Sequence, residues 1–169
     1  MYPYYDVYNL RCYRCSSHRS QEEKMQIDEE IITLEEAISL IEQSVGDEKE
    51  DEMFYSELLA TAPNQKEKDI IASIRDDEKK HNSILRELYY KLTGNMLPHD
   101  MPMPEAMPNM SYSEQLEKAL FGELEAVKKY RKIMAAMPDS EGYTLLMSIM
   151  TDEMRHANKY NFLIASQKS

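Results

Sequence analysis

The sequence predicts an all-α fold: a four-helix bundle made of two repeated helical hairpins joined by a long crossover. Three observations carry this. Apolar residues recur at alternating spacings of three and four over four long stretches, the period of a helix with one buried face. Each stretch opens on a capping signal and closes at a glycine, a proline or the end of its pattern. The second half of the chain also repeats the first at an offset of 75 without gaps, pairing Pro63 with Pro138, Tyr55 with Tyr130, Ile74 with Ile149, Glu78 with Glu153 and His81 with His156.

The elements follow in order. Thr33 and Glu36 form a capping box that opens helix α1, expected over about 34–62 and stopped by Pro63. Asn64 with Glu67 caps α2, about 65–93, which Gly94 ends. Residues 95–110 hold Pro98, Pro102, Pro104 and Pro108 and the methionines 96, 101, 103, 107 and 110 without periodicity, so they form a connector long enough to cross a bundle. Ser111 and Glu114 make a second capping box, opening α3 at about 112–137. Pro138-Asp139 then restarts the chain into α4, about 140–166. Residues 1–32 have no helical period, and five tyrosines (Tyr2, Tyr4, Tyr5, Tyr8, Tyr13) with Cys12 and Cys15 crowd the first 21 of them. The division expected is therefore an N-terminal arm at 1–32 and a bundle at 33–169.

Composition narrows the function. A chain of 169 residues suits one domain. Its net charge of -11 repels nucleic acid and anionic membranes. No apolar run is long enough to span a membrane or to act as a secretory signal, so a cytoplasmic location is expected. Two cysteines exclude a disulfide scaffold, and four glycines argue against a loop-rich β fold.

The chemistry lies where carboxylates and imidazoles interrupt the apolar seams. The α2 seam runs Ile71, Ile74, Glu78, His81, Leu85, Leu88, Leu92, and α4 repeats it with Leu146, Ile149, Glu153, His156, Tyr160, Leu163. In α1 the expected seam is Leu34, Ile38, Ile41, Val45, Glu48, Glu52, Tyr55, Leu59; in α3 it is Leu116, Leu120, Glu123, Val127, Tyr130, Met134, Met137. Residues equidistant from a hairpin turn face one another, and Glu48 and Glu78 flank Pro63 symmetrically, as Glu123 and Glu153 flank Pro138. At about 1.5 Å per residue, all four carboxylates lie roughly 22 Å from their turns, with both histidines one turn further along. Four carboxylates in one buried layer need neutralising, which two divalent cations would do. Carboxylates with one imidazole per ion suit iron or manganese, and two Glu-x-x-His segments plus a Glu from each remaining helix form the di-iron carboxylate arrangement.

On these residues the chain resembles the ferritin-like superfamily, nearest the rubrerythrin-like di-iron proteins, over about 34–166. The resemblance implies a ferritin-like bundle in which Glu48, Glu78, His81, Glu123, Glu153 and His156 ligate two iron ions, or two manganese ions. It further implies an oxidoreductase acting on peroxide, dioxygen or ferrous iron with an electron donor the sequence does not name, and a homodimer is compatible with it. Asp77 and Asp152, each preceding a ligand Glu, resemble the carboxylates that orient the opposite imidazole; the repeat pairs Asp77 with His156 and Asp152 with His81. Tyr55 and Tyr130 either hydrogen-bond a ligand carboxylate or fill the core. Departures are equally specific. Rubrerythrins carry a further carboxylate one turn beyond the α3 ligand, where this chain has Ala126, with Glu52 on α1 a substitute at best. They commonly carry two Cys-x-x-Cys knuckles, whereas Cys12-x-x-Cys15 is one. The Tyr-rich, Cys-containing arm is similar to spore-coat proteins, so a structural role with the bundle as scaffold, in a spore-associated location, is the alternative. His18, His99 and the crossover methionines read as surface residues and gap filler.

Overall fold

The computed structural model describes residues 32–98 and 110–167, except the side chains of Glu48, Lys49 and Glu52. The arm with Cys12, Cys15 and His18, and the crossover from His99 to Asn109, lie outside the described residues. Four helices make up the rest: α1 Leu34–Thr61, α2 Gln65–Thr93, α3 Tyr112–Ala135 and α4 Ser140–Ser166. None is long and apolar enough to cross a membrane.

Each helix begins where its capping chemistry places it. Both capping boxes form: Thr33 Oγ1 accepts from the Glu36 amide while the Glu36 carboxylate accepts from the Thr33 amide, and Ser111 and Glu114 do the same. Asn64 and Asp139 accept from the amides of Glu67 and Gly142 at 3.0 and 2.8 Å. Such caps contribute about 1 kcal/mol each by satisfying amides that have no partner in the first turn. Gly94 ends α2 with φ of 75°, the left-handed conformation that a Cβ disfavours. Helix α3 stops two residues short of the expected 137, because Pro138 disfavours helical backbone at Met137; the last turn instead tightens, with the Ala136 amide donating to Ile133 O and that of Met137 to Met134 O.

Helix α1 packs along α2 and α3 along α4, and the two hairpins meet through α1 against α3 and α2 against α4. Their turns sit at opposite ends, as two apolar clusters show. One gathers Ile41, Val45, Leu85, Leu88, Ile133 and Leu146; the other gathers Leu58, Ile71, Ile74, Leu116, Tyr160 and Leu163. Each cluster draws on all four helices, so a layer between them is closed from above and below. Glu78, His81, Glu123, Glu153 and His156 fill that layer, none more than 3% exposed.

The buried face of α1 differs in phase from the expected seam. Ala37, Ile41, Ser44, Val45, Phe54, Tyr55 and Leu58 are buried, while Leu34 is exposed and Leu59 only half-buried. A 29-residue neighbour, α2, supplies a polar tie: the Asn82 amide donates to the Val45 carbonyl at 2.8 Å.

Candidate metal centre

Charged groups are rarely this deep without partners, so their pairing decides what the layer is. His81 and His156 stand with ring centroids 5.8 Å apart, and both turn Nδ1 toward the carboxylates. His81 Nδ1 lies 2.9 Å from Glu78 Oε2 and 3.2 Å from Glu153 Oε1. His156 Nδ1 lies 3.0 Å from Glu78 Oε1, 3.3 Å from Glu153 Oε2 and 3.6 Å from Glu123 Oε2. Each Glu-x-x-His pair therefore engages the other hairpin's pair, bringing together groups on helices that are distant in sequence.

The outer ring nitrogens face the acids that precede the two glutamates. His156 Nε2 lies 3.3 Å from Asp77 Oδ2, and His81 Nε2 lies 3.3 Å from Asp152 Oδ2. Arg155 clamps both acids at 3.0 Å, and Lys80 binds Asp77 at 2.8 Å. Carboxylates on either side give each ring an acceptor for a proton on both nitrogens, which favours the doubly protonated imidazole without a metal. Burial pushes against that charge, yet the hydrogen bonds to Glu153 and Glu78 raise His81 to about 10, and those to Glu123, Glu153 and Glu78 raise His156 to about 12. Burial also pushes Glu153 up, but His156 and His81 outweigh it and hold its carboxyl below the usual range. Glu123, buried beside Glu78 and Glu153, stays well above that range despite His156. For Asp77, hydrogen bonds from Lys80 and His156 overcome burial and lower the carboxyl to about 2.

The Tyr55 hydroxyl donates to Glu123 Oε1 at 2.8 Å, crossing from one hairpin to the other. Tyr130, its repeat mate, is fully buried; the glutamate related to Glu123 is Glu48, whose side chain lies outside the described residues, as does that of Glu52. Sequence reasoning missed Asp51. Four residues before Tyr55 on α1, it lines a cavity of about 530 Å³ between α1 and α3 that reaches Glu78, Glu123 and Glu153. Burial and the charges of Glu78 and Glu153 raise its carboxyl to about 7. The available signal was the four-residue step from Tyr55, obscured by drawing the seam through Glu52.

Donor atoms from Glu78, Glu123, Glu153 and His156 all lie within 4.8 Å of one another. Hard carboxylate oxygens with inward imidazole nitrogens fit a hard or borderline divalent cation, which His81 and His156 would hold through Nδ1 while Nε2 faces its acid.

A sequence profile of the family described as Rubrerythrin matches residues 39–164. The chain belongs to the rubrerythrin family. Among solved structures, this rubrerythrin-family chain is similar to a hypothetical protein from Pyrococcus furiosus at 19% identity, covering 79% of this chain and 94% of that one with a TM-score of 0.67. It is also similar to a conserved hypothetical protein from Mycobacterium tuberculosis at 12% identity, with the same coverage and TM-score. At these identities the likeness establishes a shared fold alone. No curated protein matches the sequence. Family membership and the Glu/His cluster together suggest a di-iron carboxylate protein.

Proposed function

We propose that this rubrerythrin-family chain is an oxidoreductase whose dinuclear centre, of iron or alternatively manganese, is held by Glu48, Glu78, His81, Glu123, Glu153 and His156 and acts on peroxide, dioxygen or ferrous iron. The observation that carries the reading is the packing of Glu78, Glu123, Glu153 and His156 donor atoms within 4.8 Å in a layer closed by two apolar clusters. When bound, the ion pair supplies electrons and an open position for a small oxygen species.

The chain's own residues do the rest. Glu78 and Glu153 each face both imidazoles and would hold the ions together with them. His81 and His156 give up their Nδ1 protons to the carboxylates or to solvent as they become ligands, while Asp152 and Asp77 hold the Nε2 protons and fix the rings. Tyr55 holds Glu123 in its orientation by donating its hydroxyl to Glu123 Oε1 at 2.8 Å. The cavity between α1 and α3 would admit a small molecule to Glu78, Glu123 and Glu153, while Arg155 bridges Asp77 and Asp152 on the α2–α4 side.

The test is metal analysis of protein purified without chelators or affinity-column metal, with anomalous scattering at the iron and manganese edges, followed by peroxide consumption. Two equivalents of iron and peroxide loss that depends on an added electron donor are expected. Two equivalents of manganese with donor-independent loss would move the chain to the manganese alternative. Protein that takes up neither metal, or a loaded form inert to peroxide, dioxygen and ferrous iron, refutes the proposal.

A further inference from the structure

We propose that Asp51 is a further carboxylate of the centre, supplied by α1 with no equivalent from α3, and that it makes the two cation positions unequal. The proposal rests on the dinuclear reading above and names what sets its loading.

Asp51 lies three residues after Glu48 and four before Tyr55, so the face of α1 that sends the Tyr55 hydroxyl to Glu123 also carries this carboxylate. It lines the same cavity as Glu78, Glu123 and Glu153. Among the described residues it has neither a hydrogen bond nor an ion pair. The nearby Lys129 is committed elsewhere, donating to Asp47 at 2.8 Å at the cavity's rim. A partly buried carboxylate beside three buried ones, with no cation hydrogen-bonded to it, is a site of negative potential on the cavity wall.

The opposite wall has nothing to match it. The 75-residue repeat relates Asp51 to Ala126, and Ala126, Gly122 and Ala119 line the cavity from α3. A Cβ built at Gly122 would meet no atom within 4 Å, so this wall is open space. The six residues proposed as ligands obey the repeat's two-fold relation; Asp51 breaks it. A cation on the Asp51 side gains one hard oxygen donor that its neighbour lacks, and a cation arriving through the cavity meets Asp51 before the buried glutamates.

The experiment titrates the full, metal-stripped chain anaerobically with Co(II) alone, read by calorimetry and by the visible absorption of the bound ion. Wild type is compared with Asp51→Asn, Glu125→Gln and Glu78→Ala, each checked for unchanged helical content. Wild type should bind two Co(II) with two resolved affinities. Asp51→Asn should weaken one of them by about tenfold or more and alter half of the visible signal, the scale seen for losing one group that tunes a metal site. Glu125→Gln, an exposed acid that lines the same cavity from α3 and pairs with Lys128, should change affinity by no more than about twofold, since exposed charges act weakly. If Asp51→Asn titrates as wild type while Glu78→Ala loses the ions, the role of Asp51 is refuted and the dinuclear centre stands. Equal losses in Asp51→Asn and Glu125→Gln would also refute it, as an effect of net charge. If wild type binds no Co(II), or Glu78→Ala binds it unchanged, the dinuclear reading fails and Asp51 with it.

Discussion

Replacing Asp77 by Asn keeps the shape of the side chain and removes the charge that faces His156. In the native arrangement Oδ1 accepts from Lys80 at 2.8 Å, while Oδ2 accepts from Arg155 at 3.0 Å and from His156 Nε2 at 3.3 Å. An amide offers one oxygen to these three donors, so its NH2 group must turn toward at least one of them. Whichever way it turns, His156 loses the negative partner that keeps its Nε2 proton in place and its Nδ1 electron-rich. Loss of such an orienting acid lowers metal affinity or activity by about 10–100-fold, or about 1.4–2.7 kcal/mol. The expected result is one weakened cation of two, with helical content unchanged. Asp76→Asn is the control, because Asp76 is exposed and, among the described residues, its ion pairs are with Arg75 and Lys79 on its own helix. Calorimetric titration with Mn(II), in wild type and both variants, measures the difference. If Asp77→Asn binds both ions as tightly as Asp76→Asn, the Asp77–His156 pair has no part in holding the ring, whatever its distance.

Other outcomes follow from the same geometry. Glu78→Ala and Glu153→Ala should each abolish stoichiometric metal binding yet leave circular dichroism unchanged, because each imidazole keeps the other of these two carboxylates beside its Nδ1. Saturating iron should raise the melting temperature of wild type, by about 2.7 kcal/mol of linkage at a hundredfold excess over Kd, and equal melting with and without it would contradict a native-state site. In the metal-free chain, His81 and His156 are raised to about 10 and 12 from an unfolded value of about 6.5. Their contribution is complete below pH 6.5 and is lost as pH rises through the folded values, so urea midpoints of metal-free protein should fall between pH 7 and 10 more steeply than those of the loaded form, where a cation replaces the Nδ1 protons. Tyr55→Phe deletes the bond to Glu123 and should cost about 1.5–3 kcal/mol of apo stability if Glu123 is ionised, and less if it is protonated; unfolding at pH 6 and 9 distinguishes the two.

The helices and their limits were legible in the sequence because the signals are local. Thr33 with Glu36, Ser111 with Glu114, and Gly94 act within one helical turn, and each does in the structure what its chemistry dictates. The common level of Glu78, His81, Glu123, Glu153 and His156 was legible too, since rise per residue and distance from a turn determine depth. The exact repeat of 75 residues carried one tertiary fact as well: a two-fold relation implies reciprocal facing of Asp77 with His156 and Asp152 with His81, and these pairs lie 3.3 Å apart.

What depends on how each helix is rotated about its axis was decided only in the folded bundle. Drawing the α1 seam through Glu52 hid Asp51, and no periodicity could reveal that Tyr55 reaches Glu123, 68 residues away, rather than filling the core. The tie of Tyr112 and Gln167 to the buried Glu67 joins the ends of three helices and has no sequence signature. Neither does the cavity, which exists because small residues on α3 face α1. Local spacing determines which residues share a helical face and how deep they lie; contact between faces depends on the packing of all four helices at once, and a few degrees of rotation exchange one neighbour for the next.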